Sequence, residues 1–197
     1  ISGSSDNTIR IWDVAAGSCI ATCEGHSSRI WSVAATPKGN SFLSASADGS
    51  VRLWDTKEQG DPHCVETYKA ASSADLYSVC WHPGQKHFVS ASYDRTLRLW
   101  DAETKVVVKS FEGHTSSIST CLFSPLGNLV VSGSKDGSIR FWDLASRLNI
   151  KTIASHLGEV TSVVLNSGGN LLLSASKDNS NRLWDLRKLK PIMRFKG

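Results

Sequence analysis

A serine, a histidine and an aspartate recur together three times in this chain of 197 residues: His26 with Ser44 and Asp48, His114 with Ser132 and Asp136, His156 with Ser174 and Asp178. These are the residue types of a hydrolytic triad, in which a carboxylate orients an imidazole that takes the proton of a serine nucleophile. Recurrence argues against that chemistry, because an enzyme needs one triad and not one per repeat. No glycine-rich phosphate loop and no dedicated oxyanion site accompany the trios. No catalytic residue is assigned, and a set that recurs is explained by whatever builds the repeat.

The repeat itself is marked by Trp-Asp at 12–13, 54–55, 100–101, 142–143 and 184–185, with the tryptophans 42, 46, 42 and 42 residues apart. The flanking text recurs too: Ser-Ser-Asp-Asn-Thr-Ile-Arg-Ile-Trp-Asp at 4–13, Ser-Ala-Asp-Gly-Ser-Val-Arg-Leu-Trp-Asp at 46–55 and Ser-Tyr-Asp-Arg-Thr-Leu-Arg-Leu-Trp-Asp at 92–101. Between these marks run short apolar segments cut by turn residues. Asp48-Gly49 between two such segments is a hairpin signal, since glycine supplies the positive φ of a tight turn. No segment sustains a 3.6-residue apolar period, so the chain reads as all-β with four strands per period. A lone four-stranded sheet cannot bury both apolar faces, and radial stacking of such sheets covers each face with a neighbour.

With Gly-His at 25–26 and 113–114, and Ser155-His156 in the corresponding place, the chain resembles the WD-repeat β-propeller family over its whole length. The resemblance implies four-stranded antiparallel blades: 1–24 as a first blade lacking its inner strand, then 25–70, 71–112, 113–154 and 155–197. That is about four and three-quarter blades of a ring of about seven. It also implies that each trio joins its strand tryptophan in a buried hydrogen-bond network: Trp54, Trp142 and Trp184 in turn. Such a set tolerates burial only when every member is satisfied, because an unpartnered buried polar group costs about 1–3 kcal/mol.

Two departures stand out. Ser72 occupies the third repeat's histidine position, which predicts a less rigid inner loop there. Asn181 replaces the aliphatic residue found at Ile9, Val51, Leu97 and Ile139, so that it either finds a polar partner or weakens the fifth blade. Arginines two residues before each tryptophan, at 10, 52, 98, 140 and 182, share its strand face and read as structural.

Function is expected where the repeats differ. In peptide-capturing members of the family three positions per blade face the narrow top of the central channel. Carried onto this sequence they are Arg29, Trp31 and Ala47; Asp75, Tyr77 and Tyr93; Ser117, Ser119 and Lys135; and Glu159, Thr161 and Lys177, with Ser5 from the first blade. Arg29, Trp31, Asp75, Tyr77, Tyr93, Lys135, Glu159 and Lys177 are the candidate partner-binding residues, because arginine and aromatic side chains dominate interface hot spots. The alternative for Trp31 and Tyr77 is packing between blades. A second, weaker surface is the loop from Thr56 to His63 on the opposite face, which carries the insertion Gln59-Gly60-Asp61-Pro62.

The expected function is a non-enzymatic protein-interaction scaffold that docks peptides or partner proteins, part of a multiprotein complex. The competing reading is a chromatin- or RNA-associated subunit touching nucleic acid directly, favoured by the basic end with Arg187, Lys188, Lys190, Arg194 and Lys196. A net charge of +4, spread along the chain, decides little. No apolar run approaches the length of a membrane span. The five cysteines, odd in number and mostly inside apolar runs, suit buried free thiols and a cytosolic or nuclear setting. No pair of histidines or cysteines has zinc spacing, so no metal and no cofactor are predicted. The chain begins at Ile1 and its one methionine is Met193, which predicts a piece of a longer protein.

Overall fold

The computed structural model describes residues 1–56, 62–188 and 190–196. Among them the chain forms strands and no helix. Five antiparallel sheets follow one another in chain order. The first holds β1 (Ser2–Gly3), β2 (Ile9–Asp13) and β3 (Ser18–Cys23). The second holds β4 (Ile30–Ala35), β5 (Ser41–Ser46), β6 (Ser50–Asp55) and β7 (His63–Lys69). In the third are β8 (Leu76–Trp81), β9 (His87–Ser92), β10 (Leu97–Asp101) and β11 (Val107–Phe111). The fourth comprises β12 (Ile118–Phe123), β13 (Leu129–Ser134), β14 (Ser138–Asp143) and β15 (Asn149–Ala154), and the fifth β16 (Val160–Leu165), β17 (Leu171–Ser176), β18 (Ser180–Asp185) and β19 (Lys190–Lys196).

Each sheet is a meander in which sequence neighbours pair. The turn between its second and third strands is set by aspartate. Asp48 Oδ1 accepts from the Ser50 amide at 2.9 Å, Asp136 from Ser138 at 2.9 Å and Asp178 from Ser180 at 3.0 Å, the side chain mimicking a backbone turn. The residue after the aspartate is left-handed in every sheet: Asn7, Gly49, Arg95, Gly137 and Asn179, at φ of 57° to 78°.

The hydrophobic core is a series of four layers, each between two successive sheets. Ile9 and Cys23 meet Ile30, Phe42 and Trp54 in one; Leu43 and Val51 meet Leu76 and Phe88 in the next. Val89 and Leu97 meet Ile118 and Val130, and Val131 and Ile139 meet Val160 and Leu172. Middle strands therefore have both faces covered. Leu43, Val89 and Val131 are 0%, 0% and 1% exposed, whereas their counterpart Leu173 in the fifth sheet is 39% exposed. Burial of a leucine side chain is worth about 1.5–3 kcal/mol, so the layers rather than the sheets are the unit of stability.

Asn181 lies on that uncovered face, exposed and opposite Ala175 and Phe195. Its aliphatic counterparts are all fully buried within layers.

Polar stitches cross between sheets. The Ile30 amide donates to Ser4 O at 3.0 Å, Val79 N to Ser32 Oγ at 3.4 Å and Cys121 N to Ser78 Oγ at 3.2 Å. Tyr68 Oη donates to Ala102 O at 2.9 Å, and burial pushes this phenol up to about 12. His82 ties the third sheet to the fourth: its Nδ1 accepts from the Gly84 amide at 2.9 Å, leaving Nε2–H to donate to Gly127 O at 3.1 Å.

Candidate protein-docking surface

In the second, fourth and fifth sheets the recurrent trio closes a chain of hydrogen bonds. Trp54 Nε1 donates to Ser44 Oγ at 2.9 Å, Ser44 Oγ meets His26 Nε2 at 2.6 Å, and His26 Nδ1 meets Asp48 Oδ2 at 2.8 Å. His114 repeats this with Ser132, Asp136 and Trp142 at 2.8, 2.8 and 2.9 Å, and His156 with Ser174, Asp178 and Trp184 at 2.8, 3.0 and 3.0 Å. A carboxylate only accepts, so Nδ1 carries the proton and Nε2 accepts from the serine hydroxyl. The protons are thus arranged as in a hydrolytic triad. The serines, however, are fully buried and their oxygens already hold the tryptophan N–H, so no substrate carbonyl can reach them.

The aspartates are anchors. Asp48 also accepts from the Ser27 amide at 3.1 Å and from the Ser50 hydroxyl at 2.6 Å. Burial pushes its carboxyl up, but the bonds from His26 and Ser50 outweigh that and hold it well below the usual carboxylate range; Asp136 is lowered in the same way with His114 and Ser138. Asp178 is also lowered, by Ser180 and His156 against the same burial effect. Burial lowers His156 itself, favouring its neutral form.

The third sheet solves the loss of the histidine differently. Trp100 Nε1 still donates to Ser90 Oγ at 2.9 Å, but Asp94 is taken by Arg98, whose two terminal nitrogens lie 2.6 and 3.4 Å from the carboxylate oxygens. Burial raises the Asp94 carboxyl, yet bonds from Arg98, Thr96 and Ser72 bring it far down. Ser72 therefore shares the histidine's place with Arg98, and the aspartate at this inner loop keeps its anchors. In the second and fourth sheets the matching arginines lie elsewhere: Arg52 and Arg140 spread a guanidinium nitrogen over Gly25 and Gly113, where a Cβ would come within 2.6 Å. The Nε atoms of Arg52, Arg140 and Arg182 are buried without a partner among the described residues. In the first sheet Trp12 donates to Ser2 Oγ at 2.8 Å on an exposed face.

The candidate partner-binding residues converge on the face bearing these turns. Backbone bonds clamp them in pairs: Ala47 N to Arg29 O, Tyr93 N to Asp75 O, Lys135 N to Ser117 O and Lys177 N to Glu159 O, all 2.8–2.9 Å. Between the first and second strands of the second to fifth sheets the register shifts at one residue: Trp31, Tyr77, Ser119 and Thr161 in turn. A bulge re-aims the side chain it carries. The aromatic residues form a run. Trp31 meets Tyr77 edge-on at 5.3 Å and Tyr77 meets Tyr93 at 6.4 Å. Trp31 is 44% and Tyr93 58% exposed.

Cations sit on this run. Arg29 lies 5.3 Å from the Trp31 ring centroid and Lys135 5.3 Å from that of Tyr77. Glu159 pairs with Lys177 at 2.8 Å, and a cleft joins Trp31, Tyr77, Ser119, Lys135, Glu159 and Lys177. Ser119 Oγ is buried in it with no partner among the described residues. The Tyr77 phenol is raised by burial and by Asp75. A residue the sequence reading passed over, Arg95, opens onto a neighbouring cleft with Tyr93 and Lys135. Its signal was an arginine at a turn position that is otherwise glycine or asparagine.

The insertion Gln59-Gly60-Asp61 lies outside the described residues. Thr56, at its start, donates its hydroxyl to Gly39 O at 3.1 Å. Among the described residues no disulfide joins the five cysteines, no three potential ligands converge on a metal position, and no helix is long and apolar enough to cross a membrane.

Meandering four-stranded sheets stacked through apolar layers, with a tryptophan-centred network in each, define a WD-repeat β-propeller, and the chain belongs to that family. Residues 1–190 match the family described as the first β-propeller of IFT122. Among curated proteins, the nuclear distribution protein PAC1 of Ajellomyces capsulatus is 41% identical over 69 residues, 35% of this chain and 14% of that protein. The DENN domain and WD repeat-containing protein SCD1 of Arabidopsis thaliana is 38% identical over 76 residues, 39% of this chain and 6% of its own length. A THO complex subunit 6 homolog of Danio rerio is 33% identical over 69 residues, 35% of this chain and 21% of its length. The matched stretches thus span 21% or less of each of these relatives.

Proposed function

We propose that this chain is a non-enzymatic docking module that takes a peptide segment of a partner protein across the channel mouth. Trp31, Tyr77 and Tyr93 form the contact floor, and Arg29, Asp75, Lys135, Glu159 and Lys177 are the polar rim. The observation that carries this reading is the exposed aromatic run, held by three bulged or turn positions whose counterparts in the fourth and fifth sheets are polar. Rigid aromatic rings give large contact area at small entropic cost and dominate interface energetics. Burial of the three serines supports a non-catalytic role. A relative named as a subunit of a complex supports a place within an assembly.

The test is selection of a displayed peptide library against the chain, followed by affinity measurement on the selected peptides. Trp31→Ala and Tyr77→Ala are expected to weaken binding at least tenfold while far-UV circular dichroism stays unchanged. Selected peptides whose affinity is indifferent to both substitutions would move the docking surface elsewhere.

A further inference from the structure

The cleft beside the aromatic run holds an arrangement that the docking reading does not use. Arg95 and Lys135 open onto it together, from the turn of the third sheet and the turn of the fourth, with the hydroxyls of Thr115 and Ser116 alongside. Lys135 also lines the cleft over Trp31 and Tyr77, so it borders both recesses. Both cations are exposed, and neither forms an ion pair among the described residues. The one carboxylate in the cleft, Asp94, is already engaged by Arg98 at 2.6 Å. Glu112 lines an adjoining recess with Arg95 but does not come within ion-pair distance of it.

Two further facts bear on ligand chemistry. The aromatic faces are occupied by the protein's own cations, Arg29 on Trp31 and Lys135 on Tyr77, which disfavours a cationic ligand and leaves positive charge facing outward. Arg95 sits at φ 72°, a left-handed position filled by glycine or asparagine in the four other sheets. A long side chain there is held at a conformational disadvantage that no internal contact of its charge offsets. A guanidinium, an ammonium and two hydroxyls around one opening offer more donors than a carboxylate can accept. They match the three acceptor oxygens and near-double charge of a phosphate monoester.

Resting on the peptide-docking reading, we propose that the peptide crossing Trp31, Tyr77 and Tyr93 carries a phosphorylated serine or threonine whose phosphate sits between Arg95 and Lys135. Arg95 supplies the forked contact, Lys135 links the phosphate site to the aromatic run, and Thr115 and Ser116 donate from the third side. Binding then requires prior phosphorylation of the partner.

The probes are three fluorescent peptide pools with randomised flanks around a fixed central phosphoserine, serine or glutamate. They are titrated against the intact chain and against a variant with Arg95→Gln and Lys135→Gln. Both positions are exposed, so the variant is expected to melt like the wild type. The phosphoserine pool is expected to bind at least tenfold more tightly than the serine pool, with the glutamate pool close to serine, and the double variant is expected to erase the preference. Serine and phosphoserine pools binding within twofold of each other would overturn the phosphate site and leave peptide docking standing. Glutamate equalling phosphoserine would overturn it in favour of a general acidic subsite, and a preference surviving in the double variant would move it away from Arg95 and Lys135. Binding of none of the pools would overturn the docking reading along with it.

Discussion

Replacing Ser132 by alanine should cost this protein more than replacing Ser90, although both serines are fully buried at the same place in their strands. Ser132 Oγ serves two buried partners: it accepts from Trp142 Nε1 at 2.9 Å and bonds His114 Nε2 at 2.8 Å. Ser90 Oγ serves Trp100 Nε1, at 2.9 Å, with no histidine beyond it. Each buried group left without a partner costs about 1–3 kcal/mol, so Ser132→Ala should destabilise by about 2–6 kcal/mol and Ser90→Ala by about 1–3 kcal/mol. Urea denaturation followed by far-UV circular dichroism measures both, read as midpoint shifts at constant slope. A double-mutant cycle isolates the coupling: in a Trp142→Phe background the tryptophan donor is gone, and the cost of Ser132→Ala should shrink by at least about 1 kcal/mol. Equal costs for the two serines, or an unchanged cost in the Trp142→Phe background, would refute the linked-network account.

Arg98→Ala should destabilise by about 1–3 kcal/mol, because it strips Asp94 of its charged partner. Arg10→Ala, at an exposed position, should stay within about 0.5 kcal/mol by the same denaturation assay. The lowered carboxyls of Asp48, Asp136 and Asp178 contribute stability that is present above about pH 4 and is lost as pH falls below it towards their folded values. The lowered His156 acts in the same direction from about pH 6.5 downward, since the unfolded imidazole takes a proton first. Urea midpoints should therefore fall on acidification, and Asp136→Asn should make the acid limb shallower. Gly127→Ala and Gly39→Ala share a left-handed φ of 73° and 70°, but a Cβ at 127 runs into the His82 ring and one at 39 meets nothing within 4 Å. Thermal melts should show the first as the more damaging, with about 1 kcal/mol expected for the second.

Whatever repeats in this protein was legible in its residues. Alternation of apolar and polar positions and turns led by aspartate are local features, and their recurrence at intervals of 42 to 46 residues forces sheets that must stack. The serines, histidines and aspartates could be read as one set because they recur together, and the burial that denies them substrate follows from stacking. The aromatic residues of the candidate surface stood out as the places where the repeats disagree.

Other features depended on what the third dimension brings within reach. Arg98 and Arg140 occupy the same position in their repeats, yet Arg98 turns to Asp94 while Arg140 lies over Gly113. Asn181 is exposed where its aliphatic counterparts are buried, and a strand's own residues do not reveal what lies across from it. Arg95 and Lys135 are forty positions apart in the chain and share a cleft only because adjacent sheets place their turns side by side. Periodicity determines which residues are buried and which turn. The fit between neighbouring sheets, a property of pairs of surfaces and not of either strand, decides which charges meet.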